Sequence, residues 1–264
     1  MSTPEETLSE RLQKILARAG LGSRRQIEKS IDMGQIKINH KVATLGQRVV
    51  EGDRIDWKNR IWKVTEEAPD VQVLMYHKPT GEVSTKNDPE GRKTVFDRLP
   101  RLKAQKWINI GRLDLNTSGL LLFTTDGQLA NHMMHPSANI DREYACRIFG
   151  EISEQQIDNL KKGVMLEDGM ASFSDVQAAG GEDHLNKWFH VVILEGKNRE
   201  VRRLWESQGV KVSRLKRVRY GGVFLPKQLR QGQHRQLNKK ELDILFKDIN
   251  YTPAAVQLIA SSMR

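Results

Sequence analysis

WINIGRLDLNTSGLLLFTTDGQLANHMMHP, residues 107–136, carries three structural signals in one run. WINIG reads as a short strand ended by Gly111, GLLLFT as an apolar strand, and residues 127–134 as a helix entered through the turn TTDG. The polar loop between the two strands holds Arg112 and Asp114. A carboxylate on a loop fixed by a strand at each end suits a catalytic group. A loop aspartate is more often a turn former or a cap, so spacing alone leaves both readings open.

The flanking sequence extends the pattern. VQVLMYHKP (71–79), REYACRIF (142–149) and WFHVVILEG (188–196) read as further strands. Helices are expected at 153–162, where Ser153 and Gln156 form a capping box closed by Gly163, and at 198–208. Strands outnumber helices and do not alternate with them regularly. That predicts an α+β fold, with a mixed, mainly antiparallel sheet over residues 71–250. Upstream, Leu8, Leu12, Ile15, Leu16 and Ala19 have the spacing of an amphipathic helix, which Gly20-Leu21-Gly22 stops. Ser23, with Gln26 three residues on, opens a second helix that Gly34 ends. IKINHKVA and RVVEGDRIDW then read as short strands, so residues 8–62 make a small domain of two helices and a sheet. KVTEEAPD, residues 63–70, is charged, contains Pro69, and reads as a linker. Residues 251–264 read as a C-terminal tail, a short helix or a frayed end.

Apolar residues are 38% and charged residues 29% of the 264, the profile of a soluble globular chain. No apolar run approaches the roughly 20 residues of a membrane span. The polar, acidic start MSTPEETLSE lacks the features of a secretory signal. Cys146 is the only cysteine, which excludes an intrachain disulfide and a Cys-based zinc cluster and points to the cytoplasm. In YACRIF it reads as a packing residue. The excess of 43 basic over 33 acidic residues, +10, points to a polyanionic partner. Residues 194–235 hold 12 Lys or Arg against 3 Glu, and residues 10–68 hold 13 against 8 acids, leaving the rest slightly acidic. His132 and His135 have a spacing a metal can use, but without further ligands nearby a structural or helix-end role is the simpler reading. Asp126 reads as a turn or cap residue, and Asp88 and Asp97 as structural.

GRLDLNTSGLLLFTTDG (111–127) resembles the signature loop of the pseudouridine synthases that modify ribosomal RNA. KPTGEVSTKNDPEGRKTVFDRLP (78–100) is similar to that family's first motif, REYACRIFG (142–150) to its tyrosine motif, and EGKNREVRRLWESQGVKVSRLKRVRYG (195–221) to its basic third motif. Order and spacing agree, and the resemblance spans about residues 71–240. The N-terminal part resembles the αL (S-four-like) RNA-binding domain also found in a small-subunit ribosomal protein. The resemblance implies a pseudouridine synthase fold behind that domain. It also implies isomerisation of uridine in ribosomal RNA, of the large subunit (23S), with no cofactor and no metal.

Residue by residue, the resemblance makes Asp114 the nucleophile, or the base, that initiates glycosidic cleavage, and Arg202 its ionic partner. Tyr144 stacks on the target uracil and Leu215 packs against the same base. Arg112 contacts the phosphate backbone or fills the space of the flipped base. Arg199 and Arg203 are further substrate-side cations, at least one of the three arginines belonging to a solvated helix face. In the first domain Lys14, Arg18, Ser23, Arg24, Arg25 and Lys29 are the expected RNA contacts. The expected partner is a stem-loop of large-subunit ribosomal RNA, free or in a pre-ribosomal particle, bound by a monomer. The competing reading is a ribosomal-RNA-binding or assembly protein without the reaction, against which the intact set Asp114, Tyr144 and Arg202 argues. A glycoside hydrolase generally needs two flanking carboxylates, and this loop offers one.

Overall fold

The computed structural model describes residues 9–66, 70–103, 105–180, 186–254 and 256–260. Ser9–Arg11 (β1) runs into the helix Leu12–Arg18 (α1), and Arg24–Asp32 (α2) follows. Then come Lys37–Ile38 (β2), Lys41–Val42 (β3), Arg48–Val50 (β4), Arg54–Trp57 (β5) and Arg60–Thr65 (β6). α2 starts at its capping box: Ser23 N–H donates to Gln26 Oε1 at 2.9 Å, and Gln26 N–H to Ser23 Oγ at 3.3 Å. The apolar faces of the two helices close over Ile38, Ile55, Trp57, Trp62 and Val64.

Two sequence expectations give way here. The first helix begins at Leu12 because Ser9–Arg11 pair antiparallel with Arg48–Val50 instead; Leu8 lies outside the described residues. β6 also runs on through Lys63–Thr65, into the expected linker. Lys63 and Thr65 alternate with buried Trp62 and Val64, so the charge sits on the strand's outer face. Residues 67–69 of that linker lie outside the described residues.

The next strands are Val73–Lys78 (β7), Ile108–Ile110 (β8), Ser118–Thr124 (β9), Arg142–Phe149 (β10), Val164–Leu166 (β11) and Gly169–Ala171 (β12). Asp175–Ala178 (β13), Asn186–Ile193 (β14), Lys211–Tyr220 (β15), Val223–Phe224 (β16) and His234–Gln236 (β17) follow. The helices among them are Gly127–Met134 (α3), Glu154–Lys162 (α4), Glu200–Glu206 (α5) and Lys239–Asp248 (α6). The main sheet has the order β13-β14-β10-β15-β9-β7-β17, with β8 on β9 and β16 on β15; β11 and β12 form a separate hairpin. Among the described strands of this sheet only β15 and β9 pair in parallel. This is the mixed, mainly antiparallel α+β arrangement expected.

β7 and β9 are buried at every position because both faces of the sheet are covered. Leu74, Tyr76, Leu121 and Phe123 share one cluster with Trp205 of α5. Val73, Met75, Leu120 and Leu122 share another with Leu129 and Met133 of α3. The parallel contact of β9 with β15 requires a glycine. Gly119 has φ +109°, and a Cβ there would lie 2.2 Å from the Arg217 carbonyl oxygen.

The expected tail is instead a strand. Gln257–Ala260 (β18) pairs antiparallel with β6, Gln257 opposite Thr65 and Ala260 opposite Trp62, so the chain returns to its first sheet. Residues 255 and 261–264 lie outside the described residues. The return joins the two parts of the molecule. Arg18 donates to both oxygens of Glu10, at 2.9 and 2.6 Å, and to the Val256 carbonyl. Gln128 Nε2 of α3 donates to Glu10 Oε1 at 2.6 Å, and the Tyr251 hydroxyl donates to the Asp126 carboxylate. Burial, helped by Asp126, raises the Tyr251 pKa far enough that the hydroxyl keeps its proton. Among the described residues no helix is long and apolar enough to cross a membrane.

Candidate active site

Asp114 lies half-buried between β8 and β9, where Thr117 N–H closes a turn onto the Asp114 carbonyl at 3.0 Å. The loop is held from behind by the segment that follows β7. Lys78, with no exposed surface, donates through Nζ to the carbonyls of Pro79 (3.0 Å), Asp114 (3.0 Å) and Thr117 (2.9 Å). Three carbonyls satisfy the three donors of an ammonium. Burial pulls Lys78 down to about 8, against the opposing pull of Glu82 and Asp114. Ser84 Oγ donates to the Leu113 carbonyl at 2.8 Å and accepts the Leu113 N–H at 3.2 Å, while Gly81 N–H donates to the Leu115 carbonyl at 2.9 Å. The backbone of Asp114 is thereby fixed.

Asp114 lines a cavity of about 730 Å³. Tyr144 of β10, Ile193 of β14 and Leu215 of β15 supply apolar wall, all three buried. The register of β10 brings them together, Tyr144 opposite Val191 on one side and Cys146 opposite Leu215 on the other. Arg112, Lys197 and Arg199 line the same cavity. Arg142, also buried, donates to the carbonyls of Leu194 (2.7 Å) and Glu195 (2.9 Å), which anchors the approach to Lys197 and Arg199. The Asp114 carboxylate, set against ring-sized apolar walls and a cationic rim that also holds Glu195 and Glu200, suits a pyrimidine base whose phosphates remain outside.

Arg202 departs from its expected role. Its guanidinium donates to the carbonyls of Asn116 (3.0 Å) and Val212 (2.8 Å), tying α5 to the Asp114 loop and to β15. No ion pair joins it to Asp114 among the described residues. Burial, then the charge of Arg199, lowers its pKa, while Asp114 pulls the other way, so the two feel each other through space. The planar fork is occupied by backbone on either side of it. Arg203, expected on the substrate side, pairs bidentately with Asp168 on the β11–β12 turn, at 2.7 and 2.8 Å, and does not line the cavity. Arg199 does line it, with Glu206 3.7 Å away.

In the first domain Arg24, Arg25 and Lys29 are exposed, and Ser23 caps α2. Lys14 and Arg24 line a cleft between the two parts of the molecule. Arg18, expected to contact RNA, lines the same cleft but is paired with Glu10, with its side chain only 8% exposed. The residues read as structural are so placed. Asp126 caps α3, accepting Gln128 N–H at 2.8 Å; Asp88 accepts from Arg92 and Asp97 from Thr94. His132 Nε2 donates to the Ile249 carbonyl at 2.8 Å, and His135 contacts Ser137. Burial raises the Cys146 thiol to about 12, leaving it an inert packing group. Among the described residues no cluster of three His, Cys, Asp or Glu could hold a metal ion.

Lys78, Ser84 and Arg142 were not singled out by sequence reasoning. Lys78 had a signal, a lysine closing a largely apolar strand at a Lys-Pro step. Ser84 and Arg142 act on backbone carbonyls 29 and 52 residues away, which no local pattern announces.

Residues 72–207 match the family model for RNA pseudouridylate synthase, and residues 10–55 that for the S4 domain. The ribosomal large subunit pseudouridine synthase B of Pseudomonas aeruginosa is 54% identical over 262 residues, 99% of this chain and 68% of that protein. The protein of the same name from Vibrio cholerae is 55% identical over 249 residues, 93% of this chain and 77% of that one. In Escherichia coli K12 the figures are 50% over 256 residues, 96% and 88%. A crystal structure of a pseudouridylate synthase superposes with a TM-score of 0.60 at 27% identity, covering 89% of this chain and 99% of that one.

Proposed function

The chain belongs to the RNA pseudouridylate synthase family, and on that premise we propose that it converts uridine to pseudouridine in large-subunit ribosomal RNA, with Asp114 starting the reaction. The observation that carries this is the placement of Asp114 on a rigid loop, in a cavity walled by Tyr144 and Leu215. The target nucleotide leaves its stack and its uracil enters against the Tyr144 ring. The carboxylate, as nucleophile or as base, initiates cleavage of the bond between ribose carbon 1′ and uracil nitrogen 1. The base then turns within the apolar walls, carbon 5 bonds to carbon 1′, the proton on carbon 5 goes to solvent, and nitrogen 1 takes up a proton in its place. Atoms and electrons balance with no cofactor.

Arg112, Lys197 and Arg199 hold the phosphates beside the target, and Arg202 keeps the Asp114 loop against α5. The first domain, residues 9–65 with the returning β18, positions the RNA through Lys14, Arg24, Arg25 and Lys29, without reading sequence. The catalytic part then spans residues 71–250. The enzyme acts as a monomer in the cytoplasm, on a stem-loop presented by free RNA or by an assembling particle. The basic segments at residues 10–68 and 194–235 support such a polyanionic substrate.

The test is direct. A large-subunit ribosomal RNA transcript labelled with tritium at uridine carbon 5 should release label to water with the wild type, and none with Asp114→Asn. No release by the wild type from free RNA or from isolated pre-ribosomal particles refutes the assignment.

A further inference from the structure

A cleft of about 390 Å³ lies between α1 and α2 on one side and the start of α3 on the other. Its carboxylates are already engaged: Glu10 accepts from Arg18 and Gln128, and Asp126 from Gln128 N–H and the Tyr251 hydroxyl. Four cations of the lining, Lys14 and Arg24 from the first domain and Lys86 and Lys106 from the catalytic part, have no carboxylate partner among the described residues. Lys86 lies over the Phe96 ring, 5.3 Å from its centre, and is close enough to Lys106 to feel its charge. Like charges brought together with no anion between them leave a place for one.

The two sides are held in register. A Cβ on Gly127 would lie 4.0 Å from Arg24 Nη2 and 3.4 Å from Ile108 Cδ1, so Arg24 rests against the beginning of α3. The Glu10–Gln128 and Tyr251–Asp126 bonds and the β18 return fix that approach. Ile108 lines both this cleft and the Asp114 cavity, so the two adjoin.

We propose that this cleft is a second RNA site, in which Lys14 and Arg24 from one domain and Lys86 and Lys106 from the other hold successive phosphates of the single strand that passes over Ile108 to the target uridine. It is too small for a duplex and takes the backbone of one strand. No aromatic ring lines it, so it grips backbone and does not stack bases. The assignment rests on the function proposed above and adds to it where the flanking strand runs.

The experiment uses the full chain and the shortest transcript fragment of large-subunit ribosomal RNA that the wild type modifies. Binding is measured across a salt series for the wild type, Lys86→Gln/Lys106→Gln, Lys14→Gln/Arg24→Gln, and a control, Lys239→Gln/Lys240→Gln, which removes two exposed charges at the start of α6. Each phosphate contact to single-stranded nucleic acid contributes about 0.7 to the slope of log K against log salt. Each cleft variant should therefore lose about 1.4 of slope and about tenfold or more in affinity at low salt, with the control clearly less affected. If Lys86→Gln/Lys106→Gln matches the control while the wild type modifies the RNA, the cleft alone is overturned; if Lys14→Gln/Arg24→Gln matches it too, those two residues also lose their RNA-positioning role. If the wild type modifies no fragment, the function and the cleft fall together.

Discussion

A carboxylate opens a glycosidic bond only if it is held still and in a place where the base fits better than water. Asp114 is held through its carbonyl, by Lys78 and by the Thr117 turn, which leaves the carboxylate to the cavity. Lys78→Met should therefore slacken the loop and lower kcat. It also gives a pH test with a definite sign. The fold lowers Lys78 from an ordinary value near 10.4 to about 8, so the protonated form is the disfavoured one, and its cost is present in full below pH 8. Stability of the wild type relative to Lys78→Met should rise between pH 8 and pH 10.5, by about 3 kcal/mol at most. Urea unfolding at several pH values checks it, and a difference that stays flat contradicts the burial argument. Arg202→Ala should reduce kcat about a hundredfold through misplacement of the loop and change RNA affinity much less; near-normal turnover contradicts its anchoring role. At this scale the motifs that hold Asp114, Tyr144 and Leu215 were legible as recognisable runs, and folding brings the three to one cavity. The pairings of Arg18 and Arg203 were not legible, since whether an arginine meets RNA depends on carboxylates such as Glu10 and Asp168 that only folding brings to it.

The elements that position these residues were legible where the sequence punctuates them. Ser23 with Gln26 and Ser153 with Gln156 marked α2 and α4, and the run GLLLFT marked β9. Asn238 with Glu241 is the same signature for α6 and went unread. β1 and β18 could not be read, because each exists only through a partner strand far along the chain, β4 and β6. The junction of β9 with β15 is the most demanding contact between elements, since it seats Leu215 beside the Asp114 loop. Gly119→Ala places a methyl against the Arg217 carbonyl and should cost about 3 kcal/mol, in the range of severe overpacking. A thermal melt should show a drop of several degrees; an unchanged melting temperature contradicts the close approach.

For the whole molecule, the division into a small basic domain and a larger catalytic part was legible from charge and periodicity. Their docking was not, because it depends on the last residues returning to the first sheet. Removing residues 251–264 takes away β18 and Tyr251 together. It should speed hydrogen exchange along β6 and weaken RNA binding about tenfold or more, the order of change when two linked modules no longer engage together. Equal affinity before and after truncation would show that the first domain needs no fixed orientation. The predicted losses of kcat presuppose that Asp114 drives an isomerisation. The most direct check is a map of pseudouridine in total RNA from cells that lack the gene, complemented with the wild type or with Asp114→Asn. The expected result is a uridine in large-subunit ribosomal RNA that is modified with the wild type and left unmodified with the variant. The same uridine modified with both would contradict the assignment of Asp114, and no uridine modified with the wild type would favour a chain that binds ribosomal RNA without modifying it.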